Sequence, residues 1–99
     1  MAFGCRDKEA SEQFYAKHFG FKRVRTFNRG KPDEFVMLRL DSTCLELFQA
    51  GSDAKPGPSG GQGLGFRHLA FEVADIARAV AGLNADGIRT DGIIDCSGI

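Results

Sequence analysis

The sequence predicts an α+β fold, a βαβββ module followed by an incomplete second βαβ(β) module. Three observations predict it. A strand-like run leads directly into a helix near residue 75, and a fainter copy of that junction lies near residue 7. Three alternating apolar runs follow the first helix, and a Gly/Pro-rich segment separates the two copies. We therefore expect mixed, curved sheets with the helices on their outside.

The first module, predicted to span residues 1–49, has clear start and stop signals. A short apolar run at 2–6 predicts a strand, Asp7 is a favourable helix N-cap, and a helix is predicted over 8–19. Gly20 ends that helix, because glycine accepts the left-handed conformation common at helix C-termini. Three strands are then predicted at 21–27, 34–40 and 44–49, separated by turn-forming segments.

Residues 50–65 are predicted to form a linker. The segment holds six Gly, two Pro and two Ser, and no Gly-Lys-Ser/Thr follows, so a phosphate-binding loop is excluded. The second module is predicted to span 66–99, with a strand at 66–73, a helix from Asp75 to about Asp86 and a strand beginning at 88–90. In the predicted strand at 66–73, alternation places His68, Ala70 and Glu72 on one face.

Composition excludes several classes of function. Thirteen basic and 13 acidic residues cancel, and no basic patch stands out, so neither a nucleic acid nor an acidic membrane surface is an expected partner. The three cysteines are widely spaced and odd in number, which fits a reducing compartment better than a disulfide framework. The chain has no apolar run long enough for a membrane span and no signal-peptide pattern. We expect a cytoplasmic protein.

The two strand–helix junctions form an internal repeat. A shift of 68 residues places Ala2-Phe3 on Ala70-Phe71 and the cap Asp7 on the cap Asp75. The repeat is incomplete, because the second copy ends about where its second strand after the helix should begin. The position equivalent to His68 would fall one residue before Met1.

With these motifs, the chain resembles the glyoxalase / bleomycin-resistance / extradiol dioxygenase superfamily, also called the vicinal oxygen chelate (VOC) superfamily. The resemblance rests on the order of elements and on four phrases: Asp7-x-x-x-Ser11-x-x-Phe14-Tyr15, Phe19-Gly20-Phe21, Cys44-Leu45-Glu46-Leu47-Phe48 and Arg67-His68-Leu69-Ala70-Phe71. The resemblance covers the chain outside the linker. Within the superfamily, the motifs are similar to those of lactoylglutathione lyases, in a truncated form.

The resemblance implies a divalent metal, Ni, Zn, Fe or Mn, with Glu46 and His68 as ligands. The family also uses a histidine in the first strand of the first module and a glutamate in the last strand of the second module. This sequence has no counterpart of either residue. Two plainer interpretations stay open: Glu46 on a solvated sheet face, and His68 as a hydrogen-bonded structural histidine.

Five further residues are predicted to line a pocket. They are Cys44, Phe48, Phe35, Ala70 and Glu72. Cys44, Phe35 and Phe48 also fit ordinary core positions, and Glu72 fits a solvated strand end.

Two functions of different class follow from the resemblance. The first is a metal-dependent lyase or isomerase acting on a small α-oxo or 2-hydroxy substrate, including thiol-conjugated ones. The second is a non-catalytic small-molecule binding or resistance protein on the same scaffold; an inactive fragment of a longer enzyme is a further alternative. Because an incomplete second module leaves strand edges unpaired, we also expect a homodimer, in which strands could be exchanged.

Overall fold

The computed structural model describes residues 1–55 and 68–95, which lie in two compact units. The units are Met1–Pro56 and Gly57–Ile99, so the division falls inside the segment predicted as a linker. Most of that linker lies outside the described residues, and the predicted domain boundaries stay a prediction. In the two described ranges, neither helix is long and apolar enough to cross a membrane.

The first unit has the predicted βαβββ order. Its elements are β1 (Ala2–Cys5), α1 (Lys8–Phe19), β2 (Lys22–Phe27), β3 (Phe35–Leu40) and β4 (Thr43–Gln49). Their bounds agree with the predicted ones to within one residue, because local signals set them. The Asp7 carboxylate accepts a hydrogen bond from the Ala10 amide at 3.1 Å, and Gly20 ends α1 with a φ of 81°.

The four strands form one mixed sheet in the order β1-β4-β3-β2. β1 runs parallel to β4, and the other two pairs are antiparallel. The first strand of the module therefore pairs with its last strand, a contact between residues more than 40 positions apart. The β2–β3 pairing shifts register between Arg23 and Arg25, which marks a bulge.

One face of this sheet packs against α1 and forms the core of the first unit. Its fully buried side chains are Phe21, Val36, Leu38, Leu45 and Leu47. They alternate with half-buried or exposed residues along β3 and β4, as expected for strands with one covered face. We call this side of the sheet the helix face.

Two ion pairs also hold α1 to the sheet. Arg23 on β2 donates two hydrogen bonds to the Glu12 carboxylate, one of them from Nε at 2.8 Å. That hydrogen bond lowers the pKa of Glu12 below its ordinary value. At the N-terminal end of the helix, the buried Lys8 lies 3.5 Å from Glu34, whose pKa is lowered mainly by a hydrogen bond from the Gly30 amide.

In the second unit, the described residues contain one helix, α2 (Ile76–Ala85). The predicted N-cap is confirmed, since the Asp75 carboxylate accepts from the Arg78 amide at 3.1 Å. α2 has no buried residue, and Ile76, its first residue, is 55% exposed.

The predicted strands at 66–73 and 88–90 are wrong for the residues that the structure describes there. Residues 68–74 and 88–90 belong to no strand. The first unit gives the physical reason, because its corresponding strand β1 is held by β4. Residues 68–95 include no strand equivalent to β4. The backbone of residues 68–73 therefore has no strand to pair with in the described part of its own unit.

Candidate functional site

The side of the sheet opposite α1 carries the chemistry predicted for the first unit. We call it the far face. Strand register and alternation place these residues on it: Ala2 and Gly4 of β1, Cys44, Glu46 and Phe48 of β4, Phe35, Met37 and Arg39 of β3, and Lys22, Arg25 and Phe27 of β2. Three of the predicted site residues of the first unit, Cys44, Phe35 and Phe48, thus lie around the fourth, Glu46.

Glu46 lies near the middle of the far face. Its neighbours across the strands are Ala2 on β1 and Met37 on β3. The side chain is half-buried, and among residues 1–55 and 68–95 its carboxylate has no hydrogen-bond or ion-pair partner. Its oxygens keep contact with solvent, and a carboxylate that makes no polar contact within the described fold is available to a ligand. This position therefore fits a ligand-binding role better than a structural one.

Three phenylalanine rings stack across the far face beside Glu46. Phe27 and Phe35 have ring centroids 4.6 Å apart and planes 8° from parallel. Phe35 and Phe48 are 4.3 Å apart with planes 21° from parallel. The guanidinium of Arg25 lies 4.3 Å from the centroid of Phe27 and covers the outer end of the stack. We call Phe27, Phe35 and Phe48 the aromatic ladder; the rings contact one another through their faces and give the far face an apolar surface beside Glu46.

The first unit by itself does not supply a complete metal-binding set. Glu46 contributes a carboxylate, and the half-buried thiol of Cys44 lies two positions earlier on the same strand face. Within the described residues, no group of three or more His, Cys, Asp or Glu is arranged to hold a metal ion. A divalent cation typically takes three or more protein ligands, so Glu46 would need donors from outside this face.

The remaining predicted site residues, His68, Ala70 and Glu72, lie in the second unit. All three are exposed, and the stretch that contains them is not a strand. Their roles, and the pairing of His68 with Glu46 at a metal, stay predictions.

Sequence reasoning missed Arg25, Phe27 and Met37 as far-face residues. Arg25 is exposed, and its guanidinium lies over the ring of Phe27. The hairpin sequence does indicate the position of Phe27, because a β2–β3 hairpin that pairs Phe27 with Phe35 brings both rings to one face of the sheet. The bulge at Arg23 and Arg25 hides this signal from simple alternation.

A cavity of about 240 Å³ lies in the first unit where β1 and β4 end. Its lining residues are Gly4, Arg6, Ala50, Gly51, Ala54 and Lys55. None of them was predicted as a site residue, because the cavity depends on the parallel pairing of two strands that are distant in sequence.

Comparison with known proteins identifies the family. Residues 1–95 match the family model of the glyoxalase/bleomycin resistance protein/dioxygenase superfamily. The chain belongs to this superfamily. Members of the superfamily include metal-dependent enzymes, and they commonly use a divalent metal, bind small molecules and form dimers.

Individual members of the superfamily match over most of the chain. A glyoxalase family protein from Enterococcus faecalis, known from its crystal structure, is 34% identical, with a TM-score of 0.76 over 97% of this chain and 77% of that one. The protein YwkD of Bacillus subtilis (strain 168), itself uncharacterized, is 33% identical over 94% of this chain and 73% of its own length.

One relative is much longer than this chain. The 4-hydroxyphenylpyruvate dioxygenase of Legionella pneumophila (strain Corby) is 33% identical over 87% of this chain, and the match spans only 26% of the dioxygenase. The resemblance is therefore to about a quarter of that enzyme.

Proposed function

We propose that this chain binds a small oxygen-bearing molecule on the far face of its four-stranded sheet, with Glu46 as the polar centre. The observation that carries the proposal is the half-buried residue Glu46, whose carboxylate has no partner among the described residues and lies beside the aromatic ladder. An apolar surface with a few polar groups is the usual composition of a small-molecule site.

The more specific proposal is a metal-dependent lyase or isomerase of the glyoxalase type. Its substrate would be a small α-oxo or 2-hydroxy compound, thiol conjugates included. Glu46 and His68 would be ligands of a divalent metal, Ni, Zn, Fe or Mn, and a bound ion of this kind supplies Lewis-acid stabilisation of charge on substrate oxygens. Since the far face supplies one carboxylate, this activity requires His68 and further donors, from a second copy in a homodimer or from water.

The alternative is a non-catalytic binding or resistance protein that uses the same face without a metal. The aromatic ladder favours it, because an apolar aromatic surface can bind a small molecule without any help from an ion. An inactive fragment of a longer enzyme would keep the ladder and lose the ligand set. A cytoplasmic location is proposed on the free thiols of Cys5 and Cys44.

Metal-dependent stabilisation separates these functions. Purified protein is assayed for bound metal, and its Tm is measured with Ni²⁺, Zn²⁺, Mn²⁺ and Fe²⁺ at increasing concentration. A ligand that binds only the folded state at 100 times its Kd stabilises it by about 2.7 kcal/mol, which raises Tm by several degrees. The metal-dependent function predicts that Glu46→Gln and His68→Ala each remove most of this rise.

The matched control is Glu9→Gln, the same chemical change at an exposed carboxylate on α1, on the other side of the sheet. It should leave the metal response unchanged. A metal response that survives in Glu46→Gln, or its loss in Glu9→Gln, would contradict the role of Glu46. Absence of any metal response would reject the lyase and leave the binding function.

A further inference from the structure

The cavity at the ends of β1 and β4 continues the far face beyond the aromatic ladder. Gly4 pairs with Phe48. The Ala50 amide, one residue past β4, donates to the carbonyl of Cys5 at 2.8 Å, so the parallel strand pairing continues to the end of β1. Alternation then places Arg6 and Ala50 on the far face, one step beyond Gly4 and Phe48. The cavity is therefore the next position along the surface to which the ligand is assigned.

Small residues open this cavity. Gly4 has no side chain. A methyl group on Gly4 would lie 3.8 Å from Ala50 Cβ, an ordinary van der Waals distance, so packing of the neighbouring strand does not require glycine at this position. The volume of about 240 Å³ is below the roughly 300–1,000 Å³ of pockets that hold whole ligands. It is several times the ~30 Å³ of a water molecule. The cavity therefore suits a single functional group of a larger ligand.

The charge around the cavity is positive. Its lining includes the exposed cations Arg6 and Lys55, and neither side chain has a hydrogen-bond or ion-pair partner among residues 1–55 and 68–95. The neighbouring Asp7 carboxylate is engaged as the cap of α1. The Asp53 carboxylate lies at the rim, 3.4 Å from where a Cβ of Gly51 would be, and offsets one of the two cations.

We infer that this cavity is an anion subsite, in which Arg6 and Lys55 hold a carboxylate or phosphate group of the far-face ligand. The inference rests on the proposed function, since it extends the ligand assigned to that face. A strand rises about 3.3 Å per residue, so the cavity at Ala50 lies ~7 Å beyond Phe48 and ~13 Å beyond Glu46. The ligand class is thus an elongated molecule: oxygens at Glu46, a flat or apolar middle on the aromatic ladder, and an anionic group at the far end.

Two probes that differ only in charge test the subsite. 4-Phenylbutyrate carries a ring that fits over Phe48 and a carboxylate that reaches the cavity; 4-phenylbutyramide is its neutral counterpart. Their Kd values are measured by NMR titration at low ionic strength for the full chain. We expect the acid to bind more tightly than the amide, and Arg6→Gln to weaken the acid about fivefold, as loss of one exposed charge-assisted contact predicts. The amide should be unaffected.

Matched variants sharpen this test. Arg6→Gln combined with Lys55→Gln should remove the preference for the acid, whereas Lys31→Gln, an exposed cation in the β2–β3 connection, should keep it. Gly4→Val fills the cavity with a side chain and should reduce acid binding relative to amide binding. An acid-to-amide ratio that stays the same in the double variant overturns the inference.

Inorganic phosphate separates failure of the subsite from failure of the proposed function. Phosphate should shift the amide resonances of Gly4, Ala50 and Gly51 in the wild-type chain and not in the double variant. This response needs no contact with the aromatic ladder. If phosphate responds while neither phenyl probe binds, the subsite stands and the far-face ligand is refuted. If phosphate gives no response at these amides, the anion subsite is refuted whatever the phenyl probes do.

Discussion

Truncation of Leu47 should cost more stability than truncation of its neighbour Phe48 on β4, whereas only truncation of Phe48 should weaken ligand binding. Leu47 is completely buried on the helix face, whereas Phe48 is half-buried on the far face and stacked on Phe35. Leu47→Ala removes fewer atoms, yet it leaves a cavity under α1 and should cost about 3–5 kcal/mol of unfolding free energy. Phe48→Ala loses about half the burial of a Phe and one ring pair, roughly 2 kcal/mol in sum.

Urea unfolding followed by far-UV circular dichroism measures both costs, since the chain has no Trp. The free energy of unfolding of a small protein falls by about 1–3 kcal/mol per molar urea, so the urea midpoints of the two variants should differ by roughly 1 M. Leu47→Val, expected to cost about 1 kcal/mol, serves if Leu47→Ala does not fold. Binding of 4-phenylbutyrate should fall at least fivefold in Phe48→Ala and stay the same in Leu47→Val. A larger stability loss in Phe48→Ala than in Leu47→Ala, or unchanged binding in Phe48→Ala, would refute the assignment of the two faces.

Three further predictions concern stability and assembly. The pKa of Glu12 is lowered in the folded state, mainly by its hydrogen bond with Arg23, so this ion pair stabilises the fold above the ordinary pKa of 4.5 and is lost as pH falls through the folded value. Glu12→Gln should therefore flatten the dependence of Tm on pH below 4.5, and an unchanged profile would contradict this. Gly20→Ala should cost about 1 kcal/mol in urea unfolding because φ is 81° there, and a neutral result would count against the cap. Light scattering at micromolar concentration should give the mass of a homodimer, and a monomer mass would refute that proposal.

The first unit was predictable from sequence because its signals are local. The cap at Asp7, the glycine at Gly20 and the turn-forming segments set the ends of α1 and the strands, and all of these are confirmed. The register of β4 places Cys44, Glu46 and Phe48 on one face, as strict alternation along a strand requires.

The strand state of residues 68–73, the aromatic ladder and the cavity depend on contacts that local patterns do not specify. Alternation at 66–73 assigns residues to two faces but supplies no strand partner, and the strand was predicted where residues 68–73 do not form one. The aromatic ladder needed the register across the β2–β3 hairpin, which the bulge at Arg23 and Arg25 obscures. The cavity beside Arg6 needed the parallel pairing of β1 with β4, across more than 40 residues.

Binding of the ligand on the far face around Glu46 is tested directly by a ¹H–¹⁵N NMR titration with benzoylformate, a small flat α-oxo acid, in the absence and in the presence of Zn²⁺. The largest amide shifts should fall on Met37, Glu46 and Phe48, and the amides of α1 should shift little. Shifts centred on α1, or no shifts on the far face under both conditions, would contradict it.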